Sequence, residues 1–481
     1  MGAYLKLHER RTERRLSEDA TRGVRPPATA AVPVPLGTGP SDLRASIPPL
    51  GLREYWYPAV PARRVGRRKP LYWRMLGEEL VLFRTSSGVA AVSDVCPHRG
   101  ASLSRGKCFF AGTVSCPYHG ATFDKDGECV AVLAEGPGSR MPGKLRVRKY
   151  PTVVLRGWVF IWMGDGIPAP VSEDVPPEFF EGKQTVLFSD YTYWPANWII
   201  SIENQNDSHN QLYVHRNSWF QIKRKGRERT PIGPRVDIIE DRAIYGRGQN
   251  QNFYAGADGT VPFQLEHEGV GTWPKTRARQ LIWRAFRPWN EGVVYSSWRR
   301  RLSRLPYQSP AEWGGSLTRG GGGWHLPSAV RINFGYAMYT RWVVPVSQDL
   351  SRVVYFHNRR TRWPATRLAL RIWFYAYYNW FMHYNFSGQD SRAAMPCRYW
   401  TPERLFPTDS QLIALRRLIS SKSRDVIRQR AGAPQGGERA GFDDEAIERA
   451  VAAARSGATE RLAVSAQPPD AVSAQRWRKG I

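Results

Sequence analysis

Two short runs constrain this chain more than anything else in it: Cys96-Pro97-His98-Arg99-Gly100 and Cys116-Pro117-Tyr118-His119-Gly120. The pattern is C-x-H, seventeen residues, then C-x2-H. Each pair falls at the end of a predicted strand, where a hairpin loop aims both side chains at one point. Two such loops face to face surround a metal centre with two thiols and two imidazoles. The glycine after each His lets backbone NH groups approach the sulfurs. Zinc accepts Cys2His2 in a tetrahedron. A [2Fe–2S] cluster accepts it when two thiolates hold one iron and two imidazoles the other. The alternation Cys, His, Cys, His favours the cluster, because each loop then gives one ligand to each iron. Neutral imidazoles raise the potential of such a cluster to about −150 to +300 mV.

The surrounding pattern supplies the framework that the two loops need. From Tyr55 to Gly164 short apolar runs recur at Leu80–Phe83, Ala90–Val92, Val130–Val132 and Trp158–Trp162. Turns at Ser87-Gly88 and Asp126-Gly127 break them, which predicts an all-β module. Pro168, Pro170, Pro176 and Pro177 mark a joint. Beyond it, Pro195–His215 is helical in character, and strand-like runs return at Val236–Tyr245, Ala285–Trp298, Tyr336–Val346 and Arg352–His357. A helix is predicted over Ser410–Leu418. The chain therefore divides into a disordered arm (1–48), a β domain (49–166), a linker (167–182), a second domain (183–430) and a disordered tail (431–481). The arm and tail are assigned from their Arg, Pro, Ala, Gln and Gly content.

The second domain carries its own metal candidate. Asp207, His209 and His215 lie within nine residues. Two imidazoles and one carboxylate on one face of an iron leave positions open for O2. On a continuous helix, residues six apart differ by about 240° in direction. One of the two His must therefore lie beyond a helix break.

These motifs resemble the Rieske-type non-haem iron oxygenases. The likeness to their Rieske domain spans Tyr55–Gly164 and rests on Cys96, His98, Cys116 and His119 with their Pro and Gly neighbours. It departs at Ala121, where the family often has Trp. The run Glu203-Asn204 through Asp207, His209 and His215 is similar to the family's catalytic segment, and Pro407-Thr408-Asp409-Ser410 leading into Arg416-Arg417 to its C-terminal helix. The resemblance implies a third ligand at Asp390, in Ser387-Gly388-Gln389-Asp390. The family spaces its pair as His-x4-His, and alignment on Asp207 and His215 puts the first ligand at Asn210. We take His209 as the ligand because iron prefers imidazole to a neutral amide, with Asn210 as the alternative. The resemblance also implies that Asp207 bridges a cluster His of one subunit to an iron-ligating His of the next.

The fold implied is α+β, a Rieske [2Fe–2S] domain followed by a helix-grip (START-like) antiparallel-sheet domain holding a mononuclear non-haem Fe(II). The activity implied is an oxidoreductase, a mono- or dioxygenase that uses O2 and electrons from a ferredoxin or flavin reductase. It would hydroxylate, demethylate or oxidatively cyclise a hydrophobic substrate, as a homotrimer whose clusters serve neighbouring irons. The alternative is an electron-transfer protein with a degenerate second domain.

Charge adds one expectation. Lys and Arg number 70 and Asp and Glu 42, a net +28. No nucleic-acid motif accompanies the charge, so nucleic acid is not expected as a partner. A basic surface near Arg99 and Arg105 would steer an acidic electron donor. No apolar core follows Met1–Lys6, and no run reaches about 18 uncharged apolar residues. The expectation is a soluble, cytoplasmic protein. The aromatic stretch Leu368–Phe386 is read as a buried helix over a substrate site, with membrane-surface contact as the alternative. Cys108, Cys129 and Cys397 are read as buried thiols outside the cluster.

Overall fold

The computed structural model of the chain describes residues 2–21, 44, 47–180, 185–204, 214–215, 233–239, 243–249, 322–333, 337–361, 363–394, 397, 399, 403–405 and 409–430. The β domain is built from β1 (Trp56–Pro61), β2 (Leu71–Met75), β3 (Glu78–Thr85), β4 (Gly88–Ser93), β5 (Val114–Ser115), β6 (Ala121–Phe123), β7 (Cys129–Val132), β8 (Lys149–Tyr150), β9 (Thr152–Leu155) and β10 (Trp158–Trp162). They form three antiparallel sheets, ordered β2-β3-β4-β8, β5-β6-β7 and β1-β10-β9. The apolar runs read from the sequence fall in β3, β4, β7 and β10. Val81, Phe83, Val92, Leu103, Val114, Phe123 and Val132 gather with Cys96 and Cys116 into one buried cluster, which seats the two cysteine loops on a packed base.

The second domain begins with β11 (Thr185–Trp194) and continues through β12 (Gly233–Ile239), β13 (Ala243–Gln249), β14 (Gly322–His325), β15 (Ala329–Asn333), β16 (Met338–Ser347) and β17 (Leu350–Arg360). These strands make a seven-stranded antiparallel sheet in the order β11-β17-β16-β15-β14-β13-β12. Its first strand pairs with its last, Phe188 opposite His357 and Asp190 opposite Tyr355. The run Val236–Tyr245 is a hairpin of two strands, and Ala285–Trp298 lies outside the described residues.

Side-chain alternation divides the sheet cleanly. Trp342 and Phe356 point to one face and meet the β domain. Phe160 lies 6.0 Å from Trp342 and Trp158 lies 5.0 Å from Phe356, both edge-on. Phe188, Asp190, Thr192, Tyr339, Arg341, Tyr355 and His357 point to the other, inner face. There Phe188 stacks on Phe374 at 4.8 Å. A long helical passage covers this inner face: α4 (Pro364–Trp373), π-helical turns at Phe374–Tyr378 and Trp380–Phe386, then α5 (Ser387–Ala394). Earlier in the chain, α3 (Trp198–Glu203) packs beside α5 and is tied to the same face by the Arg341 guanidinium, which donates to the Ser201 carbonyl at 2.7 Å.

Three expectations change. The arm is not wholly disordered, because α1 (Gly2–Thr21) is a docked helix. Arg14 and Glu18 pair across one turn at 2.7 Å, and α1 crosses β11, the edge strand of the seven-stranded sheet. Lys6 pairs with Asp190 on the inner face, while Glu13 holds Arg64 at 2.6 Å and accepts from the Tyr191 hydroxyl at 2.7 Å on the other. Averaging a helix-forming stretch with the Pro-rich residues after it hid this element. The linker is also packed: α2 (Val171–Asp174) and the turn Pro177–Phe179 bury Val171, Val175 and Phe179. Asp174 accepts the Trp56 amide at 2.9 Å, which closes the joint against β1. Finally, Cys129 is buried, Cys108 is half-buried and Cys397 is exposed. The tail 431–481 lies outside the described residues. Among the described residues, no helix is long and apolar enough to cross a membrane.

Candidate functional site

The two cysteine loops have the same internal hydrogen bonding. In the first, the Cys96 amide donates to the Ala101 carbonyl at 2.9 Å and the Gly100 amide to the Cys96 carbonyl at 2.8 Å. In the second, the Cys116 amide donates to Ala121 at 2.8 Å and the Gly120 amide to Cys116 at 3.1 Å. Both glycines are left-handed, at φ 73° and 69°. This local twofold likeness brings the four predicted ligands together. The His98 and His119 rings lie 4.7 Å apart, and the two thiols touch. That contact pushes the Cys96 thiol up and pulls Cys116 down, to about 6. Amides of Tyr118 and His119 donate to the Cys116 sulfur, and those of His98 and Arg99 to the Cys96 sulfur. Such donors stabilise thiolates, which are the ligand form.

A [2Fe–2S] cluster fits this set. Among the described residues His119 Nδ1 is buried with no hydrogen-bond partner, as a nitrogen reserved for a metal would be. The outer side is built by Tyr118, not singled out from the sequence, and by Arg99, read there only as part of a basic surface. Tyr118 stacks on His119 at 4.0 Å, and Arg99 donates to the Tyr118 hydroxyl at 3.2 Å. Tyr118 sat inside the quoted motif, but its identity between Cys and His carries no chemical signal of its own.

A differential prediction tests the loop geometry. A Cβ on Gly120 would meet Leu133 Cβ at 2.6 Å, whereas one on Gly100 meets nothing within 4 Å. Gly100→Ala should therefore cost only the left-handed backbone penalty, ~1–2 kcal/mol. Gly120→Ala should cost more, because a Cβ close to the backbone cannot rotate away. Urea unfolding of the two cluster-loaded proteins, followed in the visible spectrum, measures the order.

The second site is partly described. His215 Nε2 and Asp390 Oδ1 lie 2.9 Å apart, and both side chains are buried. Asp390 stands on α5 over the inner sheet face. Phe386, one turn earlier, stacks on the His215 ring at 3.7 Å and sets its plane. Asp207, His209 and Asn210 lie outside the described residues. An iron fits the described pair: adjacent corners of an octahedron with ~2.1 Å bonds are ~3 Å apart, and imidazole with carboxylate is the donor set of non-haem iron. The end of α3 is held from behind. Glu203, the last residue of α3, takes a bidentate pair from Arg416 at 2.6 and 2.9 Å. Arg416 belongs to α6 (Ser410–Lys422), the helix predicted over Ser410–Leu418.

Comparison with known proteins covers both halves of the chain. Residues 55–151 match the Rieske [2Fe-2S] domain, and residues 162–227 match the homotrimeric ring hydroxylase domain. The chain is 31% identical over 400 residues to the terminal oxygenase component of carbazole 1,9a-dioxygenase from Metapseudomonas resinovorans. That match covers 79% of this chain and 93% of the relative. The chain belongs to the Rieske-type non-haem iron oxygenases. A Sphingomonas carbazole 1,9a-dioxygenase terminal oxygenase is 36% identical over 171 residues, which is 35% of this chain and 44% of that protein. Among solved structures, the reduced oxygenase–ferredoxin complex of carbazole 1,9a-dioxygenase superposes with a TM-score of 0.60 at 21% identity, covering 82% of this chain and 95% of that one. The Rieske oxygenase fold accounts for both halves, the β domain with its cluster loops and the antiparallel-sheet domain of the mononuclear iron. The chain is an oxidoreductase, a terminal oxygenase component.

Proposed function

We propose that this Rieske oxygenase oxidises a hydrophobic aromatic substrate on the inner face of the seven-stranded sheet, with electrons from a ferredoxin or flavin reductase. The observation that carries this is the buried His215–Asp390 pair. A buried imidazole and carboxylate converging beside an aromatic helix argue against a degenerate second domain. When bound, the cluster relays single electrons and the mononuclear iron activates O2. Cys96 and Cys116 would hold one cluster iron, and His98 and His119 the other. His215, Asp390 and His209 would hold the mononuclear iron, with Asn210 the alternative to His209. Asp207 would accept N–H hydrogen bonds from a ligand imidazole on each side, fixing both tautomers. Phe188, Phe374, Tyr378 and Phe381 are buried between sheet and helix and exclude water from that side. The relatives' ring-hydroxylase family is homotrimeric, which supports a homotrimer here, one subunit's cluster serving the next subunit's iron.

The donor would dock at the cluster edge. Tyr118 is exposed there with Arg99 against it, and Phe109, Phe110, Arg105 and Lys107 are exposed in the segment that leads to the second cysteine loop. Aromatic anchors inside a cationic rim suit an acidic ferredoxin, and the solved relative's ferredoxin complex supports that partner. The test is reconstitution with a ferredoxin and reductase on tricyclic aromatics. O2-dependent product is expected, with electron delivery slowing steeply as salt rises and Arg99→Glu slowing it at low salt. Absence of any oxygenated product, with both metals loaded, would overturn the proposal. A rate indifferent to ionic strength would remove the cationic docking surface from it.

A further inference from the structure

The inner face holds two buried histidines that lie outside both proposed ligand sets. His357, on β17, and His383, in the second π-helical turn, meet Nε2 to Nε2 at 3.0 Å. Burial holds both neutral, pushing His357 down to about 3 and His383 well below its usual range. Two neutral rings in that contact share one proton, so each fixes the tautomer of the other. His383 also stacks on Tyr355 at 3.8 Å, which locks its plane. Its remaining nitrogen, Nδ1, is buried without a hydrogen-bond partner among the described residues. A buried polar atom left unpaired is destabilising.

Location gives this nitrogen a use. His383 lies three residues before Phe386, whose ring stacks on His215, and seven before Asp390. Asp390 also acts electrostatically on Tyr339 and Tyr355, the two tyrosines beside the histidine pair. The backbone here is π-helical over Trp380–Phe386, a widened turn that is rare and concentrates at functional sites. We infer that His383, with its tautomer set by His357, is the specificity residue that pairs through Nδ1 with a polar group in the plane of an aromatic substrate. When His383 donates to His357, Nδ1 is a lone pair and takes a ring N–H or phenolic O–H. When His357 donates, Nδ1 carries the proton and takes a carbonyl or ring acceptor. One nitrogen a helical turn from Phe386 thus fixes which edge of a planar substrate faces the metal.

This inference rests on the aromatic-substrate proposal, and one experiment separates the two. Three tricyclics of equal size are titrated into the holoenzyme: carbazole with an N–H, fluorenone with a carbonyl, and fluorene with neither. The wild type should bind one of the polar pair about tenfold more tightly than fluorene. His383→Gln keeps a polar atom near Nε2 for His357 and loses the one at Nδ1, so the preference should vanish while fluorene affinity holds. His383→Asn places its amide near the Nδ1 position and should retain much of the preference. His357→Phe releases the tautomer and should weaken it. Iron content and the cluster spectrum report that each variant is folded and loaded. Equal wild-type affinity for all three, or a preference that survives His383→Gln, overturns the inference and leaves the aromatic-substrate proposal standing. Loss of mononuclear iron in His383→Gln would also overturn it, since the residue would then serve the metal site. A wild type that binds none of the three overturns the aromatic-substrate proposal itself and this inference with it.

Discussion

Asp390→Ala protein is expected to keep its cluster spectrum, lose the mononuclear iron and lose product formation altogether. The carboxylate meets His215 Nε2 at 2.9 Å in a buried site, so its removal deletes a charged ligand that water cannot replace in kind. His215→Ala should behave alike. The same assay, metal quantification with electronic and EPR spectra, decides the open ligand position. Loss of mononuclear iron in His209→Ala alone supports His209, and loss in Asn210→Ala alone assigns Asn210 instead. Retention of the iron in Asp390→Ala would remove Asp390 from the site. Because the cluster loops sit on a separate packed base, the cluster signal provides an internal control for folding.

Arg416→Ala should be among the most destabilising single substitutions in the second domain, at roughly 3–5 kcal/mol, the cost of leaving one half of a buried ion pair uncompensated. Glu203 is buried, and burial outweighs the guanidinium enough to keep its carboxyl above the usual range. Glu403 shares the same guanidinium from the outside. Replacing both partners by apolar residues, Glu203→Leu with Arg416→Met, should restore much of the stability. Iron occupancy then separates two roles. If the pair also positions the segment that runs from α3 to His215, the double variant unfolds normally and binds iron poorly. Normal iron content in it would limit the pair to stability. Urea unfolding and metal analysis on the same preparations give both answers.

Much of the cluster site was legible because its chemistry is local. Cys96 to Gly100 and Cys116 to Gly120 carry ligand type, spacing and turn glycines within ten residues, and the loops close as those residues require. The catalytic sheet was legible only as separate strands. Its defining contact pairs β11 with β17, more than 150 positions apart, and no local periodicity reports such a partner. His215 was visible as a metal candidate from its neighbours, whereas Asp390 was reachable only through family likeness, since a lone Asp after Gln has no signature. The roles of Phe386 and His357, and the pairing of Arg416, escaped for a common reason. Aromatic and charged residues on a helix or strand read as core or surface until the opposite element is known.

The docking of α1 has a practical consequence. β11 is ten residues long and lies at the edge of its sheet. An uncovered edge of that length offers a row of backbone donors and acceptors to any other chain. The first helix caps that row, clamped by Lys6 on one side and Glu13 on the other. Trimming the protein at its Pro-rich stretch would remove the guard. The product would keep every proposed ligand of both metal sites and aggregate through the edge that α1 covers.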